Sequence, residues 1–259
     1  MKIIKILLFM FSLILLTACK TANYGSCEPT DEIPKLVKKA EHGDTVAACR
    51  LRWHYEYCED DQKQALYWLR KGAFYGDAIA QQQLACMLLD KLNEHVTHSD
   101  RDINEGIEYL KSAAKQDDIV AQTLLGDYFR DGKHVTKDWK QSEYWYRKMT
   151  KVGDTTGMYK LSDLLLENKK SISGLTEAYK WAAIIKYRST PETHDYQKGM
   201  QQQNAVIAEA EKLNINVATL KMKAEAQAEI ENKIIPKYIF DSDYTCNRKH
   251  DKKKQKTEQ

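Results

Sequence analysis

From Pro34 onward the apolar residues return at helical spacing, and the runs they form resemble one another. "YWLRKGAFYGDAIAQQQL" and "YWYRKMTKVGDTTGMYKL" share an aromatic pair, a Lys, a Gly-Asp step and a small residue four before Leu. "KLVKKAEHGDTVAACRL" has the same ending, and "YLKSAAKQDDIVAQTLL" a variant with Asp117-Asp118. The anchors Gly43, Gly76, Asp117 and Gly153 lie 33, 41 and 36 residues apart. Ala47, Ala80, Ala121 and Gly157 keep register with Leu51, Leu84, Leu125 and Leu161. A second frame runs through Ala65, Gly106, Ser142 and Ala178, followed three residues on by Trp68, Tyr109, Trp145 and Trp181. Such a period predicts two helices per unit, stacked because one unit cannot bury both of its faces alone. Small positions let neighbouring backbones approach, and Leu and aromatic side chains fill the holes between them.

The unit 121–154, "AQTLLGDYFRDGKHVTKDWKQSEYWYRKMTKVGD", resembles the Sel-one-like repeat, a relative of the tetratricopeptide repeat, through Ala121, Leu125, Gly126, Gly132, Val135, Asp138, Trp145, Tyr146, Lys148 and Gly153. Phe129 stands where that family has Tyr, and His134 where it has a second Gly. The first unit matches through Ala47, Leu51, Tyr55, Asp61, Ala65, Trp68, Lys71 and Ala73, with a shorter loop between its helices. The second carries a longer loop, "DKLNEHVTHSDRD", and the fourth, ending in "TEAYKWAAIIKY", is the most divergent. The resemblance implies an all-α, right-handed α-solenoid of about four helix-pair repeats over residues 34–187. Two further helical patterns, "YQKGMQQQNAVIAEAEKL" and "VATLKMKAEAQAEIENKII", are expected to cap it over 188–235. Residues 236–259 form a basic tail expected to be disordered.

The N-terminal pattern is of another kind. "LLFMFSLILLTACK" is too short and too interrupted to span a bilayer, and its basic start and small end fit an export signal. Leu16-Thr17-Ala18-Cys19 resembles the lipobox of bacterial lipoproteins, which implies cleavage after residue 18 and lipid on Cys19. Residues 19–33, rich in turn formers, read as a flexible tether. The expected location is the bacterial outer membrane, facing the periplasm.

Composition changes the picture little. A chain of 259 residues with 42% hydrophobic and 30% charged residues is a folded protein. Its formal charge of +3 offers no global field for nucleic acid, and no such partner is expected.

Of six cysteines, five remain beside Cys19. Helices before and after Gly43 should fold as a hairpin, which sets Cys27 and Cys58 at similar heights and makes them the expected disulfide. Cys49 and Cys58 would stand about 13 Å apart along one helix, too far for a bond. Cys49 and Cys86 read as unpaired, buried thiols.

The aromatics Tyr55, Trp68, Tyr109, Trp145 and Trp181 fall on repeat anchors and belong to the core. Trp53, His54, Tyr57, Tyr67, Trp139 and Tyr144 lie outside the pattern and are candidate partner-binding residues, of types favoured at interface hot spots. Packing against the capping helices explains them equally well. His95, His98, Asp100 and Asp102 share a loop but have no helix to fix them, so no metal site is assigned. No catalytic motif and no cofactor-binding loop occurs.

A binding protein without catalytic activity is therefore expected. Small lipoproteins with divergent repeats of this family resemble immunity proteins encoded beside type VI secretion effectors, notably antibacterial phospholipases. The resemblance implies a protein partner of that kind, a secreted antibacterial lipase, and contact with the membrane through the lipid on Cys19. An envelope adaptor is the alternative. Hydrolysis of β-lactams, linked to cysteine-rich members of the family, is disfavoured because the Cys pair bridging each repeat is missing here.

Overall fold

The computed structural model describes residues 27–89 and 99–237. The export signal, Cys19, most of the tether, His95, His98, Cys246 and all but the first two residues of the basic tail lie outside the described residues. Among the described residues the secondary structure is helical throughout, with eleven α-helices. The chain divides into two compact units, with the boundary along the sequence between Ala80 and Gln81.

The first unit holds α1 (Ile33–Glu41), α2 (Thr45–Tyr57) and α3 (Gln62–Phe74). Its core is small: Leu36, Ala40, Ala47, Ala48, Leu51 and Trp68. Covalent and ionic ties supplement it. Cys27 and Cys58 form a disulfide with a Cα–Cα distance of 5.9 Å. Arg50 grips Glu28 with both Nε and Nη2, at 2.7 and 2.6 Å.

The cysteine expectation needs one correction. Cys49 is not an unpaired buried thiol; it is disulfide-bonded and only half-buried. The buried face of α2 is carried by Ala47, Ala48, Leu51 and His54. Cys49 lies off that buried face. Cys86 is likewise half-buried, and its sulfur lies 3.0 Å from Gln82 Nε2.

α4 (Ala78–Leu89) opens in the first unit and continues into the second. The second unit then runs through α5 (Asp100–Lys115), α6 (Ile119–Asp131), α7 (Trp139–Lys151), α8 (Thr155–Asn168), α9 (Ile172–Arg188), α10 (His194–Lys212) and α11 (Val217–Ile234). From α5 to α10 each helix packs on the next, as short connections dictate. α10 also reaches α8, while α11 lies mainly on α9. α9 is therefore covered on several sides, and it is buried almost continuously from Gly174 to Ile185. Three packed neighbours leave it little polar face: Lys180, Ala182 and Ala183 are buried beside the repeat anchors Ala178 and Trp181.

The repeated Gly-Asp step has a definite physical role. Gly43, Gly76, Asp117 and Gly153 have φ of +93°, +93°, +66° and +86°, the left-handed conformation that ends a helix. Glycine suits it because a Cβ there crowds the following carbonyl, and Asp is among the few other residues that tolerate it. The next residue, Asp44, Asp77, Asp118 or Asp154, opens the following helix. Its carboxylate accepts the backbone N–H of Ala47, Ala80, Ala121 or Gly157 at 3.0, 2.7, 2.8 and 2.7 Å. One dipeptide thus closes the second helix of a unit and starts the first helix of the next.

The small positions are close approaches between backbones and rings. A Cβ on Gly157 would stand 2.4 Å from the Met149 Cβ, and one on Gly126 would stand 2.2 Å from Tyr146 Cε1. His134 replaces the family's second Gly yet keeps a left-handed φ of +62°. Its ring is edge-on to Tyr128, with centroids 5.2 Å apart.

Candidate binding surfaces

In the first unit, α1 and α3 present an aromatic patch organised by one carboxylate. Tyr67 Oη donates to Glu41 Oε1 at 2.6 Å, and Lys71 Nζ donates to Glu41 Oε2 at 2.7 Å. Tyr75 Oη donates to the Glu41 backbone carbonyl at 2.9 Å. The Lys71 ammonium lies 5.6 Å from the Tyr67 ring centroid and 6.0 Å from that of Tyr75. The Lys71 hydrogen bond, with that of Tyr67, holds the Glu41 carboxyl below its ordinary value, so the site stays charged at neutral pH. Phe74 stands edge-on to Tyr75 and is 76% exposed, without a polar atom to justify its position in water. Rigid aromatics around an exposed apolar ring are the composition of a protein-contact surface.

The second unit carries a groove of about 460 Å³ between the last turns of α7, the middle of α9 and the end of α11. Its floor is Trp181, its rim is Ile234 and Ile235, and its sides carry Arg147, Glu177, Lys180 and Glu231. The charges are internally matched. Lys180 Nζ donates to Glu231 at 2.8 Å and lies 4.3 Å from the Trp181 ring centroid. Arg147 donates to Glu143 and Glu177, each at 2.7 Å. Burial works against the Glu177 carboxylate, but the Arg147 guanidinium outweighs it and holds that carboxyl below its ordinary value. Arg188 fixes the α11 wall by donating to the carbonyls of Ile235, Pro236 and Gly153 and to Asn232 Oδ1, at 2.6, 3.0, 3.3 and 2.8 Å. Ile234 remains 74% exposed at the groove edge.

A second hollow, beside Thr155, Tyr159, Asp195 and Lys198, encloses about 50 Å³. That is room for a water or two, far below the several hundred Å³ of a small-molecule site.

The six partner-binding candidates do not assemble into one site. The rings of Trp53 and Tyr57 on α2 are tilted by 40° with centroids 5.4 Å apart, and Tyr57 is exposed. His54 turns inward, buried, with Nε2 3.4 Å from Glu59. Tyr67 belongs to the Glu41 patch. Trp139 and Tyr144 lie on α7 in the second unit. Trp139 is half-buried, with Lys140 and Lys169 at 5.9 and 5.5 Å from its ring, whereas Tyr144 is exposed and edge-on to Trp145. Phe74, Ile234 and the α9–α11 groove were not on the candidate list. Phe74 carried a signal: it is a large apolar residue out of phase with the buried face of its own helix.

Among the described residues no group of three or more His, Cys, Asp or Glu side chains is placed to hold a metal ion. Asp102 serves instead in a capping box, in which Ser99 Oγ accepts the Asp102 N–H and the Asp102 carboxylate accepts the Ser99 N–H.

No protein-family model matches the sequence. No curated protein matches it either. Among solved structures, the chain is similar to a protective antigen present in uropathogenic Escherichia coli strains that displays an SLR (Sel1-like repeat) fold. The TM-score is 0.51 at 23% identity, over 82% of this chain and 45% of that one. It also matches a Sel1 repeat protein from Oxalobacter formigenes at 27% identity and TM-score 0.44, over 51% of this chain and 98% of that one. The chain thus spans less than half the length of the E. coli protein. At this identity the first likeness establishes the fold, a helix-pair array of the Sel1-like repeat type.

Proposed function

We propose that the chain is a lipid-anchored, periplasm-facing binding protein with no catalysis of its own, whose repeats hold a protein partner. In its most specific form it is an immunity protein that clamps a secreted antibacterial enzyme, such as a phospholipase delivered by a type VI system, and occludes its active site. The observation that carries the binding reading is the Glu41-ordered aromatic patch with Phe74 left bare beside Tyr75. Support for export comes from Leu16-Thr17-Ala18-Cys19 and from the disulfide-bonded state of Cys27, Cys58 and Cys49, since disulfides persist in oxidising compartments. A lipid on Cys19 places the clamp where damage to the membrane would begin.

Two experiments test the reading. Palmitate labelling should mark the wild-type chain and not a Cys19→Ser variant; labelling of neither removes the anchor. Deleting the gene should sensitise cells to siblings that deliver the enzyme encoded beside it. Full resistance of the deletion strain, or a neighbouring gene that encodes no secreted toxin, overturns the immunity role. Cross-linked capture of a housekeeping envelope protein through Phe74 would point to an adaptor instead.

A further inference from the structure

The aromatic patch of the first unit is bordered by charge that the fold itself leaves unanswered. α3, QKQALYWLRKGAF, carries Lys63, Arg70 and Lys71 and no carboxylate. Its exposed side chains Lys63, Tyr67, Arg70 and Phe74 follow at i, i+4, i+7 and i+11, one stripe of a helix. On α1, Glu41 is the one carboxylate, and Tyr67 and Lys71 already occupy it. Lys38 stands three residues before Glu41, on the same face, whereas Lys35 is held by Glu32 at 2.7 Å. The carboxylates that cap these helices are engaged too. Asp61 accepts the N–H groups of Lys63 and Gln64, and Asp44 and Asp77 accept those of Ala47 and Ala80. Glu59 and Asp60 precede α3 and offset Lys63 at its first turn. Lys38 and Arg70 have no ion-pair partner among the described residues. Given the binding role proposed above for this patch, we infer that the protein partner is acidic where it docks: it offers an apolar socket to Phe74, and Asp or Glu side chains on the rim of that socket meet Arg70 and Lys38.

The two halves of the contact act on different steps. A socket that takes the Phe74 ring out of water governs how long the complex lasts. Rim charges that stay in water steer the encounter and govern how fast it forms, an effect that salt screens. Arg70 suits a rim carboxylate because its planar fork can donate two parallel N–H bonds. An anionic membrane is a poorer complement to the same cations. Glu41 stands within the patch as a fixed negative charge, which a layer of phosphates repels. The hydroxyls of Tyr67 and Tyr75 are also turned to Glu41 and not outward to headgroups.

The test is the association rate of the purified, lipid-free chain with the secreted enzyme encoded beside its gene, from about 50 mM to about 500 mM NaCl. The wild type should associate about tenfold faster at the low-salt end. A chain carrying Lys38→Glu and Arg70→Glu should lose about tenfold of the low-salt rate and most of the salt dependence, with dissociation changed far less. Phe74→Ala should instead speed dissociation about tenfold and leave the salt dependence in place. Both cations are exposed, so circular dichroism should be unchanged; if the double reversal is destabilised, Lys38→Gln with Arg70→Gln should shift the rate in the same direction. A wild-type rate that ignores salt, or a charge variant that associates as fast as the wild type, overturns the acidic rim and leaves the binding role standing. Sedimentation of the wild type with phosphatidylglycerol vesicles, lost in the charge variant while that variant meets the enzyme at the wild-type rate, gives the cations to the membrane and overturns the rim as well. No complex with the enzyme at any salt overturns the binding role and the rim together.

Discussion

Gly126→Ala is the sharpest test of how the repeats pack, because two effects of opposite sign compete there. Gly126 is interior to α6, where replacing Gly by Ala ordinarily stabilises a helix by about 1 kcal/mol. The added Cβ, however, would lie 2.2, 2.7 and 2.9 Å from Cε1, Cδ1 and Cζ of Tyr146. Carbon atoms rest about 3.5–4.0 Å apart, so the ring must retreat by more than 1 Å. It has nowhere to go. Tyr146 is fully buried, and its hydroxyl donates to Asp127 at 2.6 Å, a carboxylate that Lys160 holds with contacts of 2.7 and 2.9 Å. Overpacking of this kind costs about 1–3 kcal/mol, and disturbing the Asp127 hydrogen bond adds about 1. The net expectation is a loss of about 2 kcal/mol, read as a lower urea midpoint with the m-value unchanged. A Tyr146→Leu background should relieve most of the Gly126→Ala penalty, giving a coupling energy above about 1 kcal/mol. If Gly126→Ala raised the midpoint, the close-approach reasoning for the small positions would be refuted.

Asp154→Ala should cost about 1–2 kcal/mol, because the orphaned Gly157 amide is shielded from water, whereas Asp138→Ala at an exposed cap should cost less than half of that in the same denaturation series. Asp154→Asn keeps the cap and removes a charge whose carboxyl burial pushes above its ordinary value; a raised value means stability present in acid and lost as pH rises through it, so the Asn variant should match or exceed the wild type at pH 7. Glu177 has the opposite sign: its lowered carboxyl contributes stability above the ordinary value of 4.5 that is lost as pH falls through the folded value, so Glu177→Gln should weaken the protein at pH 7, and the gap should shrink as the pH is lowered below 4.5. Phe74→Ala should leave the melting temperature within about 1 °C while weakening partner binding by about tenfold or more, whereas Trp68→Ala should cost about 3–5 kcal/mol of stability.

Much of the fold was legible in the sequence because the four junctions marked by Gly43, Gly76, Asp117 and Gly153 repeat one chemical device. A left-handed Gly or Asp followed by a capping Asp is local, and local constraints survive in a single sequence. The small positions were equally visible, since a backbone approach excludes every large side chain. What stayed hidden depended on neighbours distant along the chain. Cys49 was read as buried because it sits in a helix, but which face of α2 is covered follows from the packing around Leu51 and Ala48. Trp139 gave no sign of Lys169, which reaches its ring from just past the end of α8. The aromatic candidates were chosen by type, whereas the exposed patch is defined by Glu41, a residue with no motif whose side chain and backbone carbonyl bind Tyr67, Lys71 and Tyr75.

A titration of the purified, lipid-free chain into the secreted enzyme encoded beside its gene bears most directly on function. The account predicts that enzyme activity falls to background at one chain per enzyme, and that a Phe74→Ala chain of unchanged stability requires a large excess to do the same. Full activity at tenfold excess of the wild-type chain, or turnover of a substrate by the chain alone, would contradict it.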